Sequence, residues 1–427
     1  MKRWIPIVLL LFLASPALLA QDLIVLKASR MIDPRAAAPV ENAVVVVRGD
    51  RVEASGPASV VAVPAGARVI DLPGYTILPG LMDCHVHITG TPGDGGDTQK
   101  LRETAVHDGI RGVAHARITL EAGFTAIRNV GAGNYADAAL RDLIEEGVVP
   151  GPRMRVATRG LGATGGHADI NGWSSDLRLP GTAEIADGVD ELRKAVRTQI
   201  KNGADLIKVT ATGGVLSVGD AVTHQQYSRE ELEAIVQTAG MLGVKVAAHA
   251  HSPLGLNDAI RAGVASIEHG SLIDDEGIRL MKEHGTFLVP TLYTLDFIIE
   301  EGASNGVPEY AIEKAKSIAK QQRQRLSAAF HAGVRFAYGT DAAVFPHGRN
   351  ARDFRILVEE LDVSPLDAIR TATVNAAELM DIADQAGTLE PGKWADVIAV
   401  AGNPLENIRL LEDVRFVMKG GVVIKSP

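Results

Sequence analysis

Cysteine is nearly absent: Cys84 is the one cysteine in 427 residues. A disulfide framework and a thiolate zinc module are therefore excluded. Aromatic residues are scarce, at 4%, which argues against a surface that stacks the bases of single-stranded nucleic acid. Basic charge is not in excess, since 43 Lys and Arg stand against 52 Asp and Glu, a net charge of -9. A nucleic-acid partner is not expected, because no surplus of cations exists to neutralise phosphates. After the first 20 residues no apolar run is long enough to span a bilayer.

What is present is an ample apolar core. Hydrophobic residues make up 46% and there are 44 glycines, a composition that suits a closely packed α/β protein. Residues Met1–Ala20 read as a secretory signal peptide. Lys2 and Arg3 form its positive end, Ile5–Leu13 its apolar run, and Ser15, Ala17 and Ala20 its small residues for cleavage. The mature chain is expected to start near Gln21, to be exported, most simply to a periplasm, and to have no membrane association after cleavage. No cysteine follows the apolar run, so a lipid anchor is not expected.

Residues 21–80 and 386–427 are rich in short β segments, with Gly49-Asp50 and Gly420-Gly421 as turn signals. They predict one composite β-sandwich domain built from both chain ends. Between them, residues 81–385 alternate strands and helices. Strands are expected at Leu81–His87, Thr125–Val130, Arg153–Thr158, Asp205–Thr210, Lys245–His249, Ser266–His269, Phe287–Pro290 and Arg335–Thr340. Four of them follow a phrase ending in Gly: Gly123, Gly203, Gly263 and Gly333. Glycine there stops a helix in the left-handed conformation and the next strand begins at once. Eight such units predict a (β/α)8 barrel, the alternative being an open doubly wound sheet.

Polar groups at the carboxyl ends of barrel strands read as functional. His85 and His87 end the first strand; two apart, they share a face and can reach one ion. Lys208 lies in the fourth strand, where Ile207 and Val209 face the covering helices, so Lys208 points inward. A charged lysine there is costly unless paired, and a neutral one can take up carbon dioxide as a carbamate. His249 and His269 end the fifth and sixth strands, and Asp341 follows the eighth. Each alone is open to a plain structural reading, a core histidine or a helix cap. Six potential ligands on strand ends of one barrel point instead to a shared site.

The run Pro79-Gly80-Leu81-Met82-Asp83-Cys84-His85-Val86-His87, with Lys208, His249, His269 and Asp341, resembles the amidohydrolase superfamily along essentially the whole chain. More narrowly it resembles the prolidase-like branch near imidazolonepropionases, which includes enzymes that cleave ochratoxin A. The resemblance implies two divalent ions, usually zinc, with His85, His87 and Asp341 on the more buried one. His249 and His269 would hold the outer one, and carboxylated Lys208 and a hydroxide would bridge them. It implies hydrolysis of dipeptides or N-acyl amino acids by that hydroxide, with Asp341 as general base and then acid. Mononuclear deaminases and imidazolonepropionases place a glutamate shortly after the fifth-strand histidine; here the run is His249-Ala250-His251-Ser252, which favours the binuclear hydrolases. Tyr227, by resemblance, and His167, at the end of the glycine-rich loop from Gly160, are further catalytic candidates. His224, His251 and His347 are candidate pocket residues; His107, His115, His284 and His331 read as ordinary helix residues. The expected partner is a small amide or dipeptide, and the branch implies a homo-oligomer, up to an octamer. Alternatives are a cyclic amidase or lactonase on the same centre, or a catalytically silent assembly protein.

Overall fold

The computed structural model describes residues 23–95, 102–177, 179 and 181–427; the expected signal peptide lies outside them. Four strands open the described chain: β1 (Leu23–Met31), β2 (Val40–Arg48), β3 (Arg51–Pro57) and β4 (Arg68–Pro79). Three close it: β12 (Val397–Ala401), β13 (Phe416–Lys419) and β14 (Val422–Lys425). They join as one seven-stranded mixed sheet in the order β14-β13-β12-β4-β1-β2-β3, with β1 and β4 parallel. Val44–Val47 are all buried although successive side chains alternate. One face packs Val45 and Val47 with Leu26, Leu72 and Phe416; the other packs Val44 and Val46 with Leu23 and Val25.

The barrel strands are β5 (Leu81–Val86), β6 (Phe124–Asn129), β7 (Arg153–Val156), β8 (Leu206–Thr210), β9 (Lys245–Ala250), β10 (Ser266–His269) and β11 (Phe287–Val289). The eighth position is held by the extended segment 335–341. It pairs with β11 through Leu288 N–H to Arg335 O (2.8 Å) and with β5 through Cys84 N–H to Tyr338 O (2.8 Å). Between β7 and β8 the Asp205 N–H to Val156 O bond (2.8 Å) completes the circuit. So the ring closes, although β7 stops at Val156, where Thr158 turns to φ 58°. The open-sheet alternative is set aside.

Helices cover the outside: α1 (Ala105–Glu121), α2 (Ala136–Glu145), α3 (Val189–Lys201), α4 (Arg229–Gly240), α5 (Pro253–Ala262), α6 (Asp275–His284), α7 (Tyr293–Glu300) and α8 (Glu309–His331). Local chemistry sets their ends. Ser228 and Glu231 cap the start of α4 reciprocally. Gly123, Gly203, Gly263 and Gly333 all have φ between 88° and 97°, the left-handed stop expected from the sequence.

Gly339 is where the closing segment touches β5. A Cβ there would lie 2.2 Å from Val289 Cγ1 and 2.9 Å from His85 Cβ. Gly339→Ala is expected to destabilise the fold by about 1–3 kcal/mol through overpacking. Gly109→Ala, in α1 with open space around it, is expected to be neutral or slightly stabilising. Denaturant midpoints of the two variants check the contrast.

Candidate metal centre

The carboxyl ends of the barrel strands bring two donor groups together. In one, His85, His87 and Asp341 offer ligand atoms within 4.8 Å of one another; in the other, His249, His251 and His269 do the same. The groups are contiguous, since the His85 and His269 rings are 5.0 Å apart and those of His249 and His269 4.6 Å. His269 (φ 70°) and Asp341 (φ 63°) hold left-handed backbone that non-glycine residues rarely adopt. Such strain persists only where surroundings over-determine it, as at functional sites.

Each imidazole is oriented by what its other nitrogen binds. His85 Nδ1 lies 2.7 Å from Glu268 Oε2, which leaves Nε2 facing Asp341 at 3.4 Å. His87 Nδ1 meets the Gly131 carbonyl at 3.0 Å, and its Nε2 also lies 3.4 Å from Asp341. His269 Nδ1 meets Thr291 Oγ1 at 2.7 Å. His249 uses Nε2, 3.4 Å from the Gly213 carbonyl, which leaves Nδ1 as the nitrogen to offer an ion. Carboxylates and carbonyls on the far nitrogen are what metal-binding histidines need.

The electrostatics favour neutral imidazoles, the form that binds metal. Burial, reinforced by neighbouring histidines and Lys208, holds His249 and His269 well below the usual histidine range. Burial also lowers His87, against the pull of Asp341. It takes His251 to about 3 and His167 to about 4. Burial would raise Asp341, but the charge and hydrogen bond of His85 hold it below the usual carboxylate range. Lys208 is buried, and that burial outweighs Glu268 and Asp341 to bring its amine down to about 8. The donor set is thus nitrogen-rich, desolvated and anionic at one end, which fits two divalent ions.

Among the other candidates, His167 is brought to the site: its ring stacks on His249 at 4.4 Å and its Nδ1 meets Ser217 Oγ at 2.8 Å. Gly214 allows that approach, since a Cβ there would overlap the His167 ring. His251 is also brought in, within the second donor group. The other three are placed elsewhere. Tyr227 is buried in the main core, and its hydroxyl donates to the Ala186 carbonyl at 3.0 Å, because its ring packs as a hydrophobe beneath the loop. His224 is exposed, with Nδ1 accepting from the Ala221 N–H in its own turn. His347 stacks on His115 at 4.2 Å, beyond His87, with Nε2 on the Gly90 carbonyl. His115, taken from the sequence as an ordinary helix residue, is therefore that ring's partner.

Sequence reasoning missed the groups behind the ligands. Glu268 is fully buried in a chain: Arg128 Nη2 donates to its Oε1 at 2.7 Å, and its Oε2 faces His85. Burial would raise its carboxyl, but Arg128 and then His85 hold it well below the usual range. Asp83 accepts from Thr340 N–H (3.1 Å), Thr340 Oγ1 (2.6 Å), Asn350 Nδ2 (2.8 Å) and His85 N–H (3.1 Å). The sequence signal was adjacency: Glu268 precedes His269, and Asp83 lies two before His85. Glu268→Gln keeps the shape but leaves Arg128 without its anion and weakens the hold on His85. It is expected to loosen one ion by about 10–100-fold, with the second retained. Competition with a calibrated chelator, followed by elemental analysis, checks this.

The amidohydrolase family model matches residues 76–425. Ochratoxinase from Aspergillus niger is 36% identical over 378 residues, covering 82% of this chain and 76% of the ochratoxinase. A Xaa-Pro dipeptidase structure with methionine in its active site is 37% identical, with a TM-score of 0.88 over 94% of this chain and 99% of that one. A prolidase structure complexed with N-methylphosphonate-L-proline is 34% identical, with a TM-score of 0.87 over 95% of this chain and 100% of that one. With the two donor groups at the mouth of the barrel, these likenesses show that the chain belongs to the amidohydrolase family and is a metal-dependent hydrolase of C–N bonds.

Proposed function

We propose that the protein hydrolyses the amide bond of dipeptides or N-acyl amino acids and releases the C-terminal amino acid. The observation that carries this reading is the pair of contiguous donor groups around Lys208 and Asp341. It is supported by the ligands of the similar structures, an amino acid in one and a proline phosphonate in the other, and by the likeness to an ochratoxinase.

His85, His87 and Asp341 would hold one ion and His249 and His269 the other, both zinc, with carboxylated Lys208 shared between them. Bound divalent ions supply a water of lowered pKa and a polarised carbonyl. The chain's own groups supply proton transfer and order. Asp341, ionised at neutral pH, takes a proton from the attacking water and passes it to the leaving amine nitrogen. The carbonyl carbon gains the water oxygen, the C–N bond breaks, and the products are a carboxylic acid and a free amino acid. Lys208 adds carbon dioxide as the neutral amine, losing one proton and becoming an anion where a cation would repel metal.

The test is amino-acid release from dipeptides and N-acyl amino acids ending in Pro, Phe, Leu, Arg or Lys, with ochratoxin A included. Release that a chelator abolishes is expected. No release from any member, in protein carrying two ions per chain, would turn the reading toward lactones and cyclic amides. Lys208 has its own signature. Only the neutral amine reacts, and its fraction grows as pH rises through about 8. At fixed dissolved carbon dioxide, reactivation of metal-stripped protein by zinc is therefore expected to quicken with pH and level off above that value. A flat profile, or a Lys208→Met variant that reactivates as well, would sink the carbamate.

A further inference from the structure

His251 is the third imidazole of the second donor group, yet its surroundings assign it a different task from His249 and His269. Its Nδ1 lies 2.9 Å from Ser271 Oγ. Ser271 is fully buried, and Gln322 Nε2, reaching in from α8, donates to the same oxygen at 3.3 Å. The orientation of the Gln322 amide is decided by its other end. Arg323 Nη1 lies 2.7 Å from Gln322 Oε1, and a guanidinium has only donors, so the amide oxygen must face it. The amide nitrogen then faces Ser271.

Ser271 therefore accepts from Gln322 and still has one proton to place. Among the described residues its side-chain partners are Gln322 and His251. A hydroxyl at full burial without an acceptor would cost roughly 1–3 kcal/mol. The network closes when Ser271 O–H donates to His251 Nδ1. In the neutral imidazole the proton then sits on Nε2, which has no lone pair to offer an ion.

We propose that His251 donates its Nε2–H to the scissile carbonyl oxygen, with Arg323, Gln322 and Ser271 as positioning residues that lock this tautomer. The ring stands beside both outer donors: it is stacked on His269 at 5.0 Å and edge-on to His249 at 4.7 Å. A donor there borders the place where a carbonyl oxygen gathers charge as the amide carbon becomes tetrahedral. A preorganised donor of this kind contributes about 10²–10³ in kcat. The inference rests on the amidase reading above and deepens it by naming a group that contacts the reacting carbonyl.

The decisive variant is Gln322→Glu, nearly isosteric and distant from the substrate. Its carboxylate keeps Arg323 but can only accept from Ser271, so the Ser271 proton turns away from His251. His251 must then donate from Nδ1, and Nε2 presents a lone pair to the carbonyl oxygen. We expect kcat on the fastest panel substrate to fall about 10²-fold, with KM little changed and two ions still bound. Labelled-histidine nitrogen NMR of the zinc-loaded protein, assigned by difference against His251→Gln, should show the ring proton moving from Nε2 to Nδ1. His251→Ala should keep its metal and lose turnover, whereas His251→Gln, whose amide N–H can stand in for Nε2–H, should recover part of it. Wild-type kcat in Gln322→Glu, or an ion lost from His251→Ala, would overturn the proposal. If wild-type protein hydrolyses no member of the panel, the amidase reading fails separately, and the NMR tautomer still decides the relay.

Discussion

The buried carboxylate of Asp83 is the joint on which the molecule turns. Its four hydrogen bonds tie the end of β5 to Thr340 and Asn350, from the far side of the chain. Closing the barrel and bringing Asp341 beside His85 and His87 are thus one event. The carboxyl is pushed up to about 6 because burial outweighs those hydrogen bonds. A hydrophobic residue could fill the volume, but it could not satisfy two backbone N–H groups, a hydroxyl and an amide at once. Gly339 belongs to the same joint, since only a residue without a Cβ lets the closing segment lie against His85.

Around that joint, control of the site works through the nitrogens that face away from it. Gly131, Thr291, Gly213 and Glu268 each hold one ring nitrogen and so free the other. These partners differ in kind. Carbonyls and a hydroxyl orient the ring, while Glu268, held low by Arg128, also makes His85 more electron-rich. Ser271 does the opposite for His251: its hydroxyl donates a hydrogen bond to Nδ1 and so keeps the ring proton on Nε2. One cluster of imidazoles can therefore contain both metal ligands and a hydrogen-bond donor.

Much of this was legible from the chain. His85, His87, Lys208, His249, His269 and Asp341 were marked by their spacing at strand ends. The eight barrel positions were marked by the alternation of apolar runs with helices, four of which end in glycine. Period and capping are local properties, and local properties survive in a linear reading. Tyr227 and His224 were not legible. Both lie in the long segment after β8, whose path over the barrel no short-range pattern specifies; there Tyr227 turns into the core and His224 out to solvent.

The sequence by itself therefore determined the barrel, the β domain made from both chain ends and the candidate donors at the strand ends. Those follow from side-chain type and from periods of two and three to four residues. Only the tertiary structure decided which nitrogen of each imidazole faces inward and which polar residues stand behind it. His85 and Glu268 are 183 positions apart, and Ser271 and Gln322 are 51 apart. A hydrogen bond across such a span is set by closure of the ring and the docking of α8. The tautomers, and with them the division of labour within the site, exist only once the barrel has closed.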